Sequence, residues 1–97
     1  MIVRVFRVVV HDGKRSEFEA SFRETAKPLV ESQPGIVSVT AEVPRPEAPD
    51  EFCMVMVWRD LDAMKQFVGE DWRSAHVHPD EAALVRERFI HQYELVE

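Results

Sequence analysis

Residues 51–68 read EFCMVMVWRDLDAMKQFV: an apolar strand, a capping residue and an amphipathic helix in immediate succession. From Phe52 to Trp58 no position is charged. Strand alternation sends Phe52, Met54, Met56 and Trp58 to one face and Cys53, Val55 and Val57 to the other, so both faces are apolar. Arg59-Asp60 ends the run. Asp60 is a good N-cap, because its carboxylate can accept a free N–H of the first helical turn. A helix over 61–68 then turns Leu61, Met64 and Phe67 or Val68 inward, and Gly69 interrupts it.

The flanking segments supply the rest of a sheet. Residues 2–10 read as a strand stopped by Asp12-Gly13. Ile2, Arg4, Phe6, Val8 and Val10 share one face; Val3, Val5 and Val9 share the other. Residues 14–32 read as a helix carrying Phe18, Phe22, Ala26 and Leu29, with Val30 beside them, and Pro28 is expected to kink or shorten its last turn. Pro34-Gly35 breaks the chain before a strand over 36–43. The stretch Pro44 to Asp50 holds three prolines and reads as a loop. Beyond Gly69 the pattern predicts a short helical piece from Trp72 to His76 and another helical turn opening at Pro79. The last strand is expected over 86–96.

The order β-α-β-β-α-β predicts one α+β domain over residues 1–97, a ferredoxin-like four-stranded antiparallel sheet. Two helices cover only one apolar sheet face. A second copy packed sheet to sheet would cover the other, so a homodimer of the dimeric α/β barrel type is expected.

Composition narrows the classes of function. The 97 residues carry a net charge of −6, from 12 Lys and Arg against 18 Asp and Glu, with no basic cluster; this argues against nucleic acid as a partner. Hydrophobic residues make up 45% and charged residues 31%, the balance of a soluble globular protein. Cys53 is the one cysteine, so no intramolecular disulfide points to an oxidising compartment, and Cys53 is expected to be inert core. The apolar stretch MIVRVFRVVV is interrupted by Arg4 and Arg7, too short for a membrane span and unlike a signal peptide. A cytoplasmic protein with no membrane partner is expected.

The chain resembles the antibiotic biosynthesis monooxygenase domain family, within the dimeric α/β-barrel superfamily. The resemblance is carried by Asp12-Gly13-Lys14, Gln33-Pro34-Gly35-Ile36, Val55-Met56-Val57-Trp58 with Arg59-Asp60, and His91-Gln92-Tyr93-Glu94. These are landmarks of fold, not a catalytic signature. The resemblance implies a pocket in each subunit between sheet and helices, and oxygenases of quinols or polycyclic aromatics that work without metal or flavin. A related heme-degrading branch uses an Asn in strand one, a Trp on the second helix and a His shortly after. By landmark alignment Phe6 stands near the Asn position, Phe67 near the Trp position and His76 near the His position.

Candidate site residues follow. His76 and His78 titrate near neutrality and are candidate catalytic bases; each also suits a surface or capping role. A His-x-His pair is a weak metal signal: Asp80 or Glu81 could contribute a third ligand and His91 is distant in sequence, so no metal site is expected, nor any cofactor. Trp72 is a candidate pocket wall, one turn from His76 if both are helical. Trp58 ends a core strand and is better explained by packing. Arg4, among apolar neighbours, needs a partner: a carboxylate such as Glu94, or an anionic ligand. Phe6, Phe22, Met54, Met56 and Phe67 read as core or substrate-binding wall. His91 and Tyr93 are expected to form a hydrogen-bonded core pair.

Deprotonating a phenol or quinol makes an electron-rich anion that can reduce oxygen directly. The leading expectation is therefore a cofactor-independent monooxygenase acting on a small aromatic or quinol ligand. The alternatives are a non-catalytic small-ligand-binding dimer and a heme-binding or heme-degrading protein.

Overall fold

The structure, a computed structural model, describes residues 1–97. Its strands are β1 (Ile2–Val10), β2 (Ile36–Glu42), β3 (Glu51–Trp58) and β4 (Val85–Glu94), in the spatial order β2-β3-β1-β4 with every neighbouring pair antiparallel. This is the ferredoxin-like α+β sheet that the element order predicts. The β3 and β1 limits match the expected ones at every residue. Pairing sets Arg4 opposite Met56 and Gln92, and Phe6 opposite Met54 and Ile90.

The first helix runs from Arg15 to Glu31 in three segments: α1 (Arg15–Ser21), a π-helical turn (Phe22–Ala26) and α2 (Lys27–Glu31). Pro28 has no N–H, and its ring would meet the carbonyl four residues back. The wider π turn lies immediately before it and absorbs that misfit. The wide turn also changes which residues point inward. Phe18, Phe22 and Val30 are buried, whereas Leu29, expected on the buried face, is 46% exposed. Helix α3 (Leu61–Val68) starts as the sequence predicts: Asp60 Oδ1 accepts from the Ala63 N–H at 2.8 Å. Ala63 and Met64 carry its buried side, while Leu61 is exposed.

Two local expectations are corrected. Trp72 to His76 is not helical but a turn that runs into extended chain before α4 (Pro79–Ala82), with Ser74 N–H closing back on the Asp71 carbonyl. The acids and Ser that follow Gly69 favour turns over helix interiors. His91 and Tyr93 are both exposed, with ring centroids 6.4 Å apart, and make no core hydrogen bond. They project from the sheet face that the helices leave open.

The core lies between the sheet and the helices. Phe18, Phe22 and Phe52 form an aromatic cluster with centroids 4.8 to 5.6 Å apart, and Trp58, fully buried, stacks on Phe67 at 5.7 Å. The Trp58 indole N–H finds no acceptor, so packing alone holds this ring. The opposite face, with Val3, Val5, Cys53, Val55 and Val57, is half-buried in the single chain. Cys53 thus sits on the open face instead of in the helix-covered core. No helix is long and apolar enough to cross a membrane.

Candidate functional site

Between the sheet and the first helix lies a cavity of about 300 Å³. β1 supplies Arg4 and Phe6, β3 supplies Met54 and Met56, and the first helix supplies Phe22, Thr25, Ala26, Leu29 and Val30. The end of α3 and the segment after it close the far side. Strand alternation places the β1 and β3 residues here: Arg4, Phe6, Met54 and Met56 all point to the helix-covered face. The lining is mostly hydrophobic, with a few polar groups converging on it, as in small-ligand pockets, and the volume is at the small end of their range of roughly 300–1,000 Å³.

Arg4 is the cation of this cavity. It is only 3% exposed. Its Nη1 donates to the Trp72 carbonyl at 2.7 Å and to Gln92 Oε1. Both acceptors are neutral, and no carboxylate lies within ion-pair reach; Glu94, the expected partner, does not meet it. Removal from water without a counter-charge pushes its pKa down to about 10. A guanidinium has five N–H donors in a fixed fork, and those on Nε and Nη2 have no protein acceptor.

His76 and His78 both line the cavity and both remain half-exposed at its mouth. His76 Nε2 lies 3.0 Å from the Asp71 carbonyl and 3.5 Å from Asp71 Oδ2. His78 caps α4: its Nδ1 accepts from the Asp80 N–H at 3.1 Å. Each histidine therefore has one ring nitrogen engaged locally and one without a protein partner.

Of the residues singled out in the sequence, Arg4, Phe6, Phe22, Met54, Met56, Phe67, His76 and His78 come together around one space. Trp72 does not. Without the predicted helix it no longer shares a face with His76; it contributes its backbone carbonyl to Arg4 and carries Arg73 over its ring at 4.1 Å. Its ring lines a separate shallow depression with Leu61, Gln92 and Tyr93.

Glu81 is a polar wall residue whose burial the sequence does not show. It looks like an ordinary acid of a helical first turn, yet it is 6% exposed and lines the cavity. The Ser21 hydroxyl donates to its Oε1 across sixty residues of chain. Only the packing of α4 against the first helix reveals this pair. No three His, Cys, Asp or Glu side chains converge in a way that would hold a metal ion.

The fold and this cavity define a class of protein. The chain belongs to the antibiotic biosynthesis monooxygenase family, whose sequence profile matches residues 1–79. No curated protein matches it by sequence. Among solved structures it resembles a protein assigned as an antibiotic biosynthesis monooxygenase from Deinococcus radiodurans, at 15% identity and TM-score 0.78, covering 100% of this chain and 94% of that one. It also resembles SnoaB, a cofactor-independent oxygenase from Streptomyces nogalater, at 24% identity and TM-score 0.73, covering 99% of this chain and 93% of that one. A third neighbour is an MhuD variant with two manganese protoporphyrins bound per active site, at 20% identity and TM-score 0.74, covering 100% and 96%. At these identities the likeness is one of fold.

Proposed function

We propose that this protein is a cofactor-independent monooxygenase acting on a small aromatic or quinol substrate held in the cavity between sheet and helices. The observation that carries the reading is Arg4: a buried cation without a carboxylate partner, with donors that the protein does not use, in the wall of a mostly apolar cavity. Family membership and the likeness to SnoaB support the reaction class. A phenol that enters gives up its proton to His76, through the ring nitrogen that has no protein partner; His78 is the weaker candidate, because its Nδ1 lone pair is taken by the Asp80 N–H and its other nitrogen then carries the proton. The phenolate oxygen then meets the Arg4 fork, where a charge-assisted hydrogen bond stabilises it. Phe6, Phe22, Met54, Met56 and Phe67 hold the ring and keep water away.

The redox chemistry belongs to the substrate. The anion passes electrons to dioxygen, a carbon–oxygen bond forms at the ring carbon, and water leaves as the carbonyl appears. A phenol and O₂ thus become a quinone and water, with no external reductant. Oxygen uptake against a panel of quinols, with His76→Ala alongside, tests the proposal. Equal rates for the two proteins would remove His76 from it, and no uptake by the wild type would remove the reaction.

The apolar open face supports the second half of this reading, a sheet-to-sheet homodimer of one-domain protomers. Phe89 is 38% and Tyr93 56% exposed there, beside half-buried valines of β1 and β3. Light scattering at micromolar concentration should give twice the chain mass; the mass of one chain would contradict it. The size of the cavity favours one or two fused rings over a porphyrin.

A further inference from the structure

We infer that Glu81 is a specificity-determining residue, accepting a hydrogen bond from a hydroxyl group of the ligand while Arg4 holds the ligand's anionic group. The inference rests on the reading of the cavity as a site for a small aromatic ligand, but not on the oxygenation chemistry.

Three observations carry it. First, Glu81 is more than nine-tenths buried, yet it has a single protein hydrogen bond, from Ser21 Oγ to Oε1. A carboxyl group offers about four lone-pair sites, so most of this capacity is unused. Second, no cation approaches it: Arg4 lines the same cavity and makes no ion pair with it. Buried polar groups normally find partners, and two incompletely satisfied groups of opposite character around one space call for a ligand that supplies both. Third, neither Glu81 nor Arg4 has a side-chain atom that is sealed and unpartnered; the open valences of both remain reachable. Ser21, fixed on the first helix at the start of the π turn, holds the carboxyl group in place.

The ligand class that follows is a planar aromatic bearing one acidic oxygen and one further hydroxyl. An aromatic with the acidic group alone would fill the apolar walls and satisfy Arg4, leaving Glu81 without its donor. A site built to receive a hydroxyl discriminates strongly against analogues that lack it.

The test is binding to the purified full chain, measured by calorimetry with benzoate, 3- and 4-hydroxybenzoate and the corresponding methoxybenzoates. The methoxy compounds keep the oxygen but have no proton to donate. In the wild type, one hydroxybenzoate should bind at least tenfold tighter than benzoate and than its methoxy counterpart. In Glu81→Gln that advantage should shrink to under threefold, with benzoate binding no weaker than in the wild type; Arg4→Gln should weaken all of these ligands together. Ser21→Ala, which leaves the carboxyl group in place but frees it, should give an intermediate advantage and serves if Glu81→Gln does not fold. An equal advantage in wild type and Glu81→Gln, no advantage in the wild type, or no binding of any benzoate would overturn the inference. Selective hydroxybenzoate binding without oxygen uptake would uphold it while removing the oxygenase reading.

Discussion

Arg4 and Glu81 face one cavity from different layers of the fold and do not pair with each other. Arg4 rises from the central strand of the sheet; Glu81 comes from a single-turn helix near the end of the chain. Each is anchored by neutral protein groups and each keeps hydrogen-bonding capacity that the protein does not use. Most of the chemistry assigned to this protein rests on that separation.

The isolation of Arg4 predicts an unusual stability result. Its folded-state pKa of about 10 lies below the ordinary guanidinium value, so holding it protonated costs folding free energy at neutral pH. That penalty is complete below about pH 10 and is relieved as pH rises above it. Arg4→Met removes the buried charge along with two hydrogen bonds to neutral acceptors. These effects oppose each other, and urea unfolding should find the variant within about 1 kcal/mol of the wild type. Anionic ligands should raise the melting temperature of the wild type and leave Arg4→Met unmoved. A loss of more than about 3 kcal/mol would mean that Arg4 is a structural linchpin with a satisfied site.

Cys53 should be a slow thiol. Burial, and then the neighbouring Glu42, raise its pKa from 9.0 to about 11. Two pH units mean a thiolate fraction about a hundredfold lower at pH 8 than for an unperturbed thiol. Reaction with a disulfide reagent should be correspondingly slow and should accelerate up to about pH 11. The sign for stability follows: the contribution is intact below pH 9 and is lost as pH rises from 9 to about 11, because the unfolded thiol ionises first. Rapid labelling at pH 8 would contradict the half-buried placement of this thiol beside Glu42.

Asp60 caps α3, and its carboxyl pKa is lowered, first by the Ala63 N–H and then by Arg59. Its contribution should be present above the unfolded value of 3.8 and should fade as pH falls through the lower folded-state value. Asp60→Ala should melt below the wild type at pH 7, and the gap should narrow at pH 3. A gap independent of pH would show that the cap does not act through its charge.

Gly35 is irreplaceable on two counts. It adopts φ +85°, and a Cβ there would lie 2.5 Å from the Ala63 Cβ. Gly35→Ala should destabilise by about 3 kcal/mol, combining left-handed strain with overpacking against α3. Ala63→Gly in the same chain should recover part of that loss, because it removes the opposing methyl group. Wild-type stability in Gly35→Ala would contradict the close approach of α3 to this turn.

The strands, the Asp60 cap and the two-sided apolar sheet were legible because each depends on residues close in sequence. β3 announces itself through seven uncharged residues, and Arg4 through a charge set in an apolar run. The wall residues Phe6, Met54 and Met56 follow from alternation once the helix-covered face is known. Trp72 was misplaced because its expected helical phase failed at a turn. Glu81 was legible as an acid beside His76 and His78 but not as a buried one, because burial of a first-turn acid depends on α4 docking against Ser21, a contact that no local pattern encodes. Leu29 turned outward while Val30 stayed buried because a π turn altered the phase of the helix.

If a small aromatic substrate meets oxygen in this cavity, filling the cavity must stop the reaction. Ala26 lines it from the first helix, and in Ala26→Phe a ring would occupy the space. Oxygen uptake with the best quinol should fall at least tenfold in this variant while its melting curve stays cooperative. A folded Ala26→Phe that consumes oxygen at the wild-type rate would place the chemistry elsewhere.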